Sequence, residues 1–149
     1  MGEMRKQLCT FMLDDMLCGI PVSYVQEVVR HRELTTIPLA PPEVVGLINL
    51  RGQIVTAIDL RKRLGLGPLT SGRLPMNIVA RSKDGMVSLL VDVIKDVIDI
   101  GEFQSESPPE PMDIKVRELV REVYKLEDSL LLVLDAERIM DIEVSSDSG

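Results

Sequence analysis

The chain has no tryptophan, two phenylalanines, two tyrosines, two cysteines and a single histidine. Each scarcity removes a class of function. Nucleophilic catalysis of the Ser-His-Asp or Cys-His type needs a histidine base, and His31 sits in the charged stretch Arg30-His31-Arg32 with no nucleophile motif nearby, which reads as a surface position. Two cysteines and one histidine make no familiar tetrahedral ligand set. Neither G-x-x-x-x-G-K-S/T nor G-x-G-x-x-G occurs, so no glycine loop cradles a phosphate. The carboxylates read as solvating groups. The sequence predicts no enzyme, no metal site and no cofactor.

Cationic surface is also scarce. The net charge is −7, and residues 64–149 hold seventeen Asp/Glu against nine Lys/Arg, whereas residues 1–63 are nearly balanced at seven against eight. Nucleic-acid binding needs phosphate-facing cations and stacking aromatics, and both are lacking. The one basic cluster, Arg61-Lys62-Arg63, reads as a solvated face. No apolar run approaches the roughly 20 residues that cross a bilayer, and MGEMRKQLCTF carries no apolar segment of signal-peptide length, which predicts a cytoplasmic protein with no direct membrane insertion. If Asp14-Asp15 turns a hairpin, Cys9 faces Ile20 and Cys18 faces Phe11, so both read as buried thiols rather than a disulfide.

What is abundant is short apolar, β-branched runs. Candidate strands lie at 7–13, 16–20, 34–37, 46–50, 53–58, 76–81, 86–91, 93–100, 116–124 and 129–134, separated by turn residues such as Asp14-Asp15, Arg51-Gly52, Lys83-Asp84-Gly85 and Glu127-Asp128. In PVSYVQEVVR, Val22, Val25 and Val29 recur at helical spacing behind Pro21, predicting a short helix. GLGPLTSGRLP at 65–75 reads as a module boundary, GEFQSESPPEP at 101–111 as an exposed loop, and residues 142–149 as a flexible tail. A weak echo links IVTAIDLRKRL (54–64) to LLLVLDAERIM (130–140), each an apolar strand whose Asp, Asp59 or Asp135, caps a short helix.

The stretch GLINLRGQIVTAIDL at 46–60 is two apolar runs around an Arg-Gly turn. On a strand, Ile48 and Leu50 face the core while Leu47, Asn49 and Arg51 face outward, and Gly52 lets the chain reverse.

The order F-x-L, G-I, V-x-E-V, T-x-I-P, G-L-I-N-L-R-G and I-D-L-R, continuing through LLVDVIKDVIDI and LLLVLDAERI, resembles a CheW-like domain over residues 8–141. The resemblance implies a mainly β fold of two small five-stranded SH3-like barrels packed together with short helices, with approximate modules 8–70 and 71–141. It also implies a chemotaxis adaptor joining the cytoplasmic helical tips of chemoreceptors to the regulatory domain of a CheA-type histidine kinase, recruited to membrane-associated receptor arrays. The kinase contact would be barrel to barrel, with kinase-binding residues unassigned. A stand-alone coupling protein is the first reading; a module of a larger kinase or response-regulator fusion, or a small β-barrel ligand carrier, are the alternatives. Carried onto this chain, the receptor-binding residues are Val25, Glu27, Asn49, Arg51 and Gly52, with Arg51 and Glu27 rimming an apolar groove between the barrels. The chain departs from the family pattern at Thr56-Ala57 (usually Pro-Val), at Cys18 (often aromatic) and at Glu122 (often glycine), the last putting the strand geometry at 120–124 in question.

Overall fold

The computed structural model describes residues 6–30, 32–69, 72–101, 105–108 and 112–142. His31, most of the loop at 101–111 and all but the first residue of the expected tail lie outside them. In chain order the elements are β1 (Gln7–Leu13), β2 (Met16–Pro21), β3 (Val25–Val29), β4 (Val44–Leu50), β5 (Gln53–Asp59), α1 (Leu60–Arg63), β6 (Met76–Ser82), β7 (Gly85–Val91), β8 (Val93–Asp99), β9 (Ser105–Glu106), α2 (Ile114–Leu119), β10 (Val120–Lys125), β11 (Leu130–Leu134) and α3 (Ala136–Met140). The fold is mainly β. One sheet runs β8-β1-β2-β11-β10-β9 and the other β3-β6-β7-β5-β4.

In both sheets the two edge strands are neighbours in chain order. β8 and β9 follow one another in the chain, yet β8 pairs with β1 and the two-residue β9 with β10, at opposite ends of the strand order. In the second sheet the chain running on from β3 pairs at Thr35 with Leu47 of β4. That single bridge is all that forms of the strand expected at 34–37.

Because successive strand residues point to opposite faces, each strand can feed two cores. Ile48, Leu50, Val55, Ala57, Val79 and Leu90 fill a core inside the five-stranded sheet, and Leu8, Ile100, Tyr124, Leu131 and Val133 one inside the six-stranded sheet. The alternate residues, among them Phe11, Leu13, Ile20, Ile58, Ile78, Leu89, Leu132 and Leu134, form the largest core, drawn from both sheets. At roughly 1.5–3 kcal/mol for each large apolar side chain buried, this shared core is the main adhesion between the two halves.

The two sheets repeat each other residue by residue. The β1–β2 hairpin turns between Leu13 and Met16, the β6–β7 hairpin between Ser82 and Gly85; Cys9 pairs with Val97 of β8, and its counterpart Ile78 pairs with Val28 of β3. Thr56 pairs in parallel with Val87, and its counterpart Leu132 with Cys18. Asn49 opposes Ile54 as Lys125 opposes Leu130. Asp59 accepts from the Arg61 amide and Asp135 from the Arg138 amide, so both aspartates cap helices as the echo predicts.

The repeats are therefore 7–64 and 76–140, but neither makes a sheet alone. The β1–β2 hairpin of the first joins β8, β10 and β11 of the second, and the β6–β7 hairpin of the second joins β3, β4 and β5 of the first. Residues 65–75 accordingly link two parts of one sheet, and modules 8–70 and 71–141 are not the two sheets. The reason is pairing: parallel β2–β11 and β5–β7 contacts need crossovers, which the hairpin exchange supplies.

Two further element assignments change. PVSYVQEVVR forms a single 3-10 turn at Val22–Tyr24 and then strand β3, because Val25–Val29 pairs with β6 and its exposure alternates with period two. The run at 116–124 divides into α2, capped by Asp113, and β10.

Candidate functional site

Leu50 pairs with Gln53 across a two-residue loop in which Arg51 has φ 53° and Gly52 φ 86°. Positive φ at both central residues gives the twist that a tight hairpin of right-twisted strands requires. Asn49 stabilises it by accepting the Gly52 N–H on Oδ1 at 2.8 Å. Its side chain thus serves the turn.

The turn aims Arg51 at β3, the far end of the strand order. Its Nη1 and Nη2 donate to Glu27 Oε2 and Oε1 at 2.8 and 2.6 Å, a two-pronged match of guanidinium to carboxylate. β3 and β4 are the two ends of the sheet order, so this pair joins strands that share no ladder. The Arg51 side chain remains 74% exposed and that of Glu27 25%. Hydrogen bonding to Arg51 holds the Glu27 carboxyl below its ordinary range; partial desolvation opposes this, and the charges of Arg51 and Arg32 reinforce it. The same pairing raises Arg51.

Of the five expected site residues, the fold brings Glu27, Asn49, Arg51 and Gly52 to one end of the five-stranded sheet. Val25 lies two residues down β3, half-buried against the shared core. Val28 and Ile54, which the sequence reading passed over, stand 41% and 59% exposed, on β3 beside Glu27 and on β5 just past the Arg51 turn. The signal was the outward phase of Asn49, since Ile54 lies directly opposite it. A cavity of about 570 Å³ does exist, lined by Leu8, Pro21, Val22, Ile100 and Val133 together with Lys6, Gln7, Arg121 and Glu122, but Arg51 and Glu27 are not among its lining residues.

This geometry can be set beside known proteins. The family model described as "CheW-like domain" matches residues 7–144. The chain belongs to the CheW-like family. It is 31% identical over 140 residues to the chemotaxis protein CheW of Bacillus subtilis (strain 168), covering 94% of this chain and 90% of that protein. It is 32% identical over 137 residues to CheW of Treponema pallidum (strain Nichols), covering 89% and 81%. The crystal structure of scaffolding protein TtCheW from Thermoanaerobacter tengcongensis superposes with a TM-score of 0.80 at 31% identity, covering 93% of this chain and 94% of that one.

Several features of this CheW-like chain serve the scaffold. Arg61 is not part of a solvated face. It is 7% exposed, and its guanidinium pairs with Asp92 Oδ2 at 2.6 Å and Asp14 Oδ1 at 2.7 Å while Nε donates to the Gly67 carbonyl at 2.7 Å. Asp92 Oδ2 also accepts the Asp14 N–H at 2.7 Å. The network ties α1 to the β1–β2 turn and to the β7–β8 crossover. Cys9 and Cys18 are free and buried; burial, with Asp92 nearby, pushes the Cys18 thiol up to about 12, an inert value. Glu122 sits where β10 shifts register, and its carboxylate accepts from Tyr124 at 3.0 Å and pairs with Lys6 at 3.8 Å. Among the described residues no helix is long and apolar enough to cross a membrane, and no group of three His, Cys, Asp or Glu could hold a metal.

Proposed function

We propose that this CheW-like scaffold couples chemoreceptors to a CheA-type histidine kinase without catalysing a reaction, and that the Arg51–Glu27 end of the five-stranded sheet receives the receptor's helical tip. The observation that carries the assignment is Arg51 itself: a charged, largely exposed residue kept in a left-handed conformation that glycine or asparagine would adopt with less strain. Its inner prongs hold Glu27, while Nε and the outer N–H groups remain for a carboxylate on a receptor helix. Val28 and Ile54 offer apolar contact on either side. Localisation follows from the partner: the chain acts in the cytoplasm and joins membrane-associated arrays through its receptor. Individually modest contacts then add through multivalency.

The test compares wild type, Arg51→Ala and Arg51→Lys for receptor-tip affinity, kinase affinity and melting temperature. Loss of charge-assisted hydrogen bonds at Arg51→Ala is expected to weaken receptor binding about tenfold to hundredfold, with Arg51→Lys recovering only part because an ammonium lacks the fork. Kinase affinity and melting temperature should hardly move. A sharp drop in melting temperature with both partners weakened alike would make Arg51 a structural residue.

A further inference from the structure

Asp92 carries a buried charge with one oxygen unused. Its side chain is 8% exposed, and both hydrogen bonds that it accepts fall on Oδ2, from Arg61 Nη1 at 2.6 Å and from the Asp14 amide at 2.7 Å. Oδ1 is buried and accepts none among the described residues. A carboxylate has room for several donors, and a buried oxygen left without any is costly. The other bonds of Arg61 run elsewhere: Nε to the Gly67 carbonyl at 2.7 Å, Nη2 to Asp14 Oδ1 at 2.7 Å and to the Pro68 carbonyl at 3.3 Å. The charges do not balance either. Arg61 and Lys62 stand against Asp14, Asp59 and Asp92, which leaves a surplus of negative charge around the unused oxygen.

Asp92 also forms part of the wall of a cavity of about 290 Å³. Leu66, Pro68, Leu69, Pro75, Leu90 and Val91 make most of that wall, and Asp59, Arg61 and Lys62 join Asp92 in its polar part. An apolar chamber with a few converging polar groups is the usual form of a small-ligand site. The repeat shows that the fold itself does not require the acid. Leu8 pairs with Pro21 as Asn77 pairs with Leu90, so Ser23 corresponds to Asp92. The capping aspartates Asp59 and Asp135 correspond, so Glu137 stands where Arg61 does. Pro21, Val22 and Ser23 line the 570 Å³ cavity as Leu90, Val91 and Asp92 line this one. One junction is thus built without a buried carboxylate, and the other carries one with accepting capacity to spare.

We propose that this cavity binds a small primary amine, an ammonium on an apolar stem, whose N–H donates to Asp92 Oδ1 while the stem lies among Leu66, Leu69, Leu90 and Val91. An ammonium brings donors and no acceptor, so it satisfies the oxygen and offsets the surplus charge at once. An anion of the same shape meets the carboxylate and is repelled, and an alcohol supplies the donor without the charge. The site shares no residue with the Arg51–Glu27 end and does not rest on the coupling role. A bound amine adds a contact to the knot that joins α1 to the β1–β2 turn and the β7–β8 crossover, so it stabilises the junction of the two halves in proportion to its occupancy.

The experiment titrates hexylammonium into the full chain, with hexanoate and hexanol as its anionic and neutral counterparts, followed by calorimetry, amide NMR and thermal melts. Hexylammonium is expected to bind one to one with a Kd of about 0.1–1 mM, to shift the amides of Leu66, Leu69, Val91 and Asp92, and to raise the melting temperature as it saturates. Hexanoate should bind at least about tenfold more weakly, with hexanol between the two. Asp92→Asn keeps the shape and removes the charge; it should weaken hexylammonium at least about tenfold and hexanol by no more than about twofold. That variant also loosens the Arg61 pair, so Leu69→Lys provides a second one whose own ammonium competes for Oδ1 in a chain that melts as wild type does. Wild type that takes up no hexylammonium at about 10 mM, or takes up hexanoate equally well, overturns the proposal. So does undiminished hexylammonium affinity in Leu69→Lys, or amide shifts confined to residues away from this cavity.

Discussion

At the scale of single residues, Arg51 carries two demands that pull against each other. The turn needs a residue that tolerates φ near 53°, which asparagine and glycine do and a long side chain does with strain. The site needs a guanidinium. Arg51→Asn is therefore expected to raise the melting temperature by roughly 2–5 °C, since an exposed ion pair contributes little and the turn gains. The same substitution should cost as much receptor affinity as Arg51→Ala. Thermal melts beside binding isotherms check both; a lower melting temperature would mean that the Glu27 pair outweighs the turn. Asn49 belongs to the same device through its bond to the Gly52 amide, so its contribution is to where Arg51 points.

At the scale of elements, closure of the five-stranded sheet hangs on a close approach that only glycine permits. A Cβ on Gly46 would stand 2.6 Å from the Thr35 carbonyl oxygen, and Gly46 has φ +153°. Gly46→Ala must push away the one bridge that joins β4 to the chain beyond β3, and is expected to cost about 1–3 kcal/mol in denaturant unfolding, as other overpacked sites do. Gly52→Ala, at φ +86° with open space around its Cβ, should cost only about 1 kcal/mol. Much of this layer was legible in the sequence. The hairpins at Asp14-Asp15, Arg51-Gly52 and Lys83-Asp84 lie where turn chemistry puts them, and Ile48 and Leu50 face inward as alternation requires. The helix expected in PVSYVQEVVR failed because Val22, Val25 and Val29 satisfy helical spacing while Val25 and Val29 also satisfy strand alternation, and pairing with β6 decides between them. Arg51 and Glu27 were both named from family resemblance. Their mutual bond was not legible, because a contact between residues 24 apart depends on how the sheet closes.

At the scale of the whole molecule, the two halves are held by the shared apolar core and by one buried polar knot. Arg61 from α1 meets Asp14 and Asp92, so deleting it leaves two carboxylates without a counter-ion, one of them 7% exposed. Arg61→Ala is expected to destabilise the fold by about 3–5 kcal/mol, and Arg61→Met combined with Asp92→Leu by less than the sum of the single changes. Chemical denaturation of Arg61→Ala, of Arg61→Met and Asp92→Leu singly, and of their combination measures it; strict additivity would mean that the two residues do not act as a unit. The echo between 54–64 and 130–140 was visible because capping aspartates and apolar strands persist there. The exchange of hairpins was not, since the same local patterns serve a repeat that folds on itself and one that lends its hairpin away. That exchange governs how the molecule comes into being. On a ribosome adding about 5–20 residues per second, β2 emerges roughly 6–23 s before β11, its parallel partner. The five-stranded sheet, contained within 25–91, has all its strands well before synthesis ends. The first hairpin made is thus among the last to find its place, and through that wait the nascent chain carries an open apolar edge for chaperones to shield.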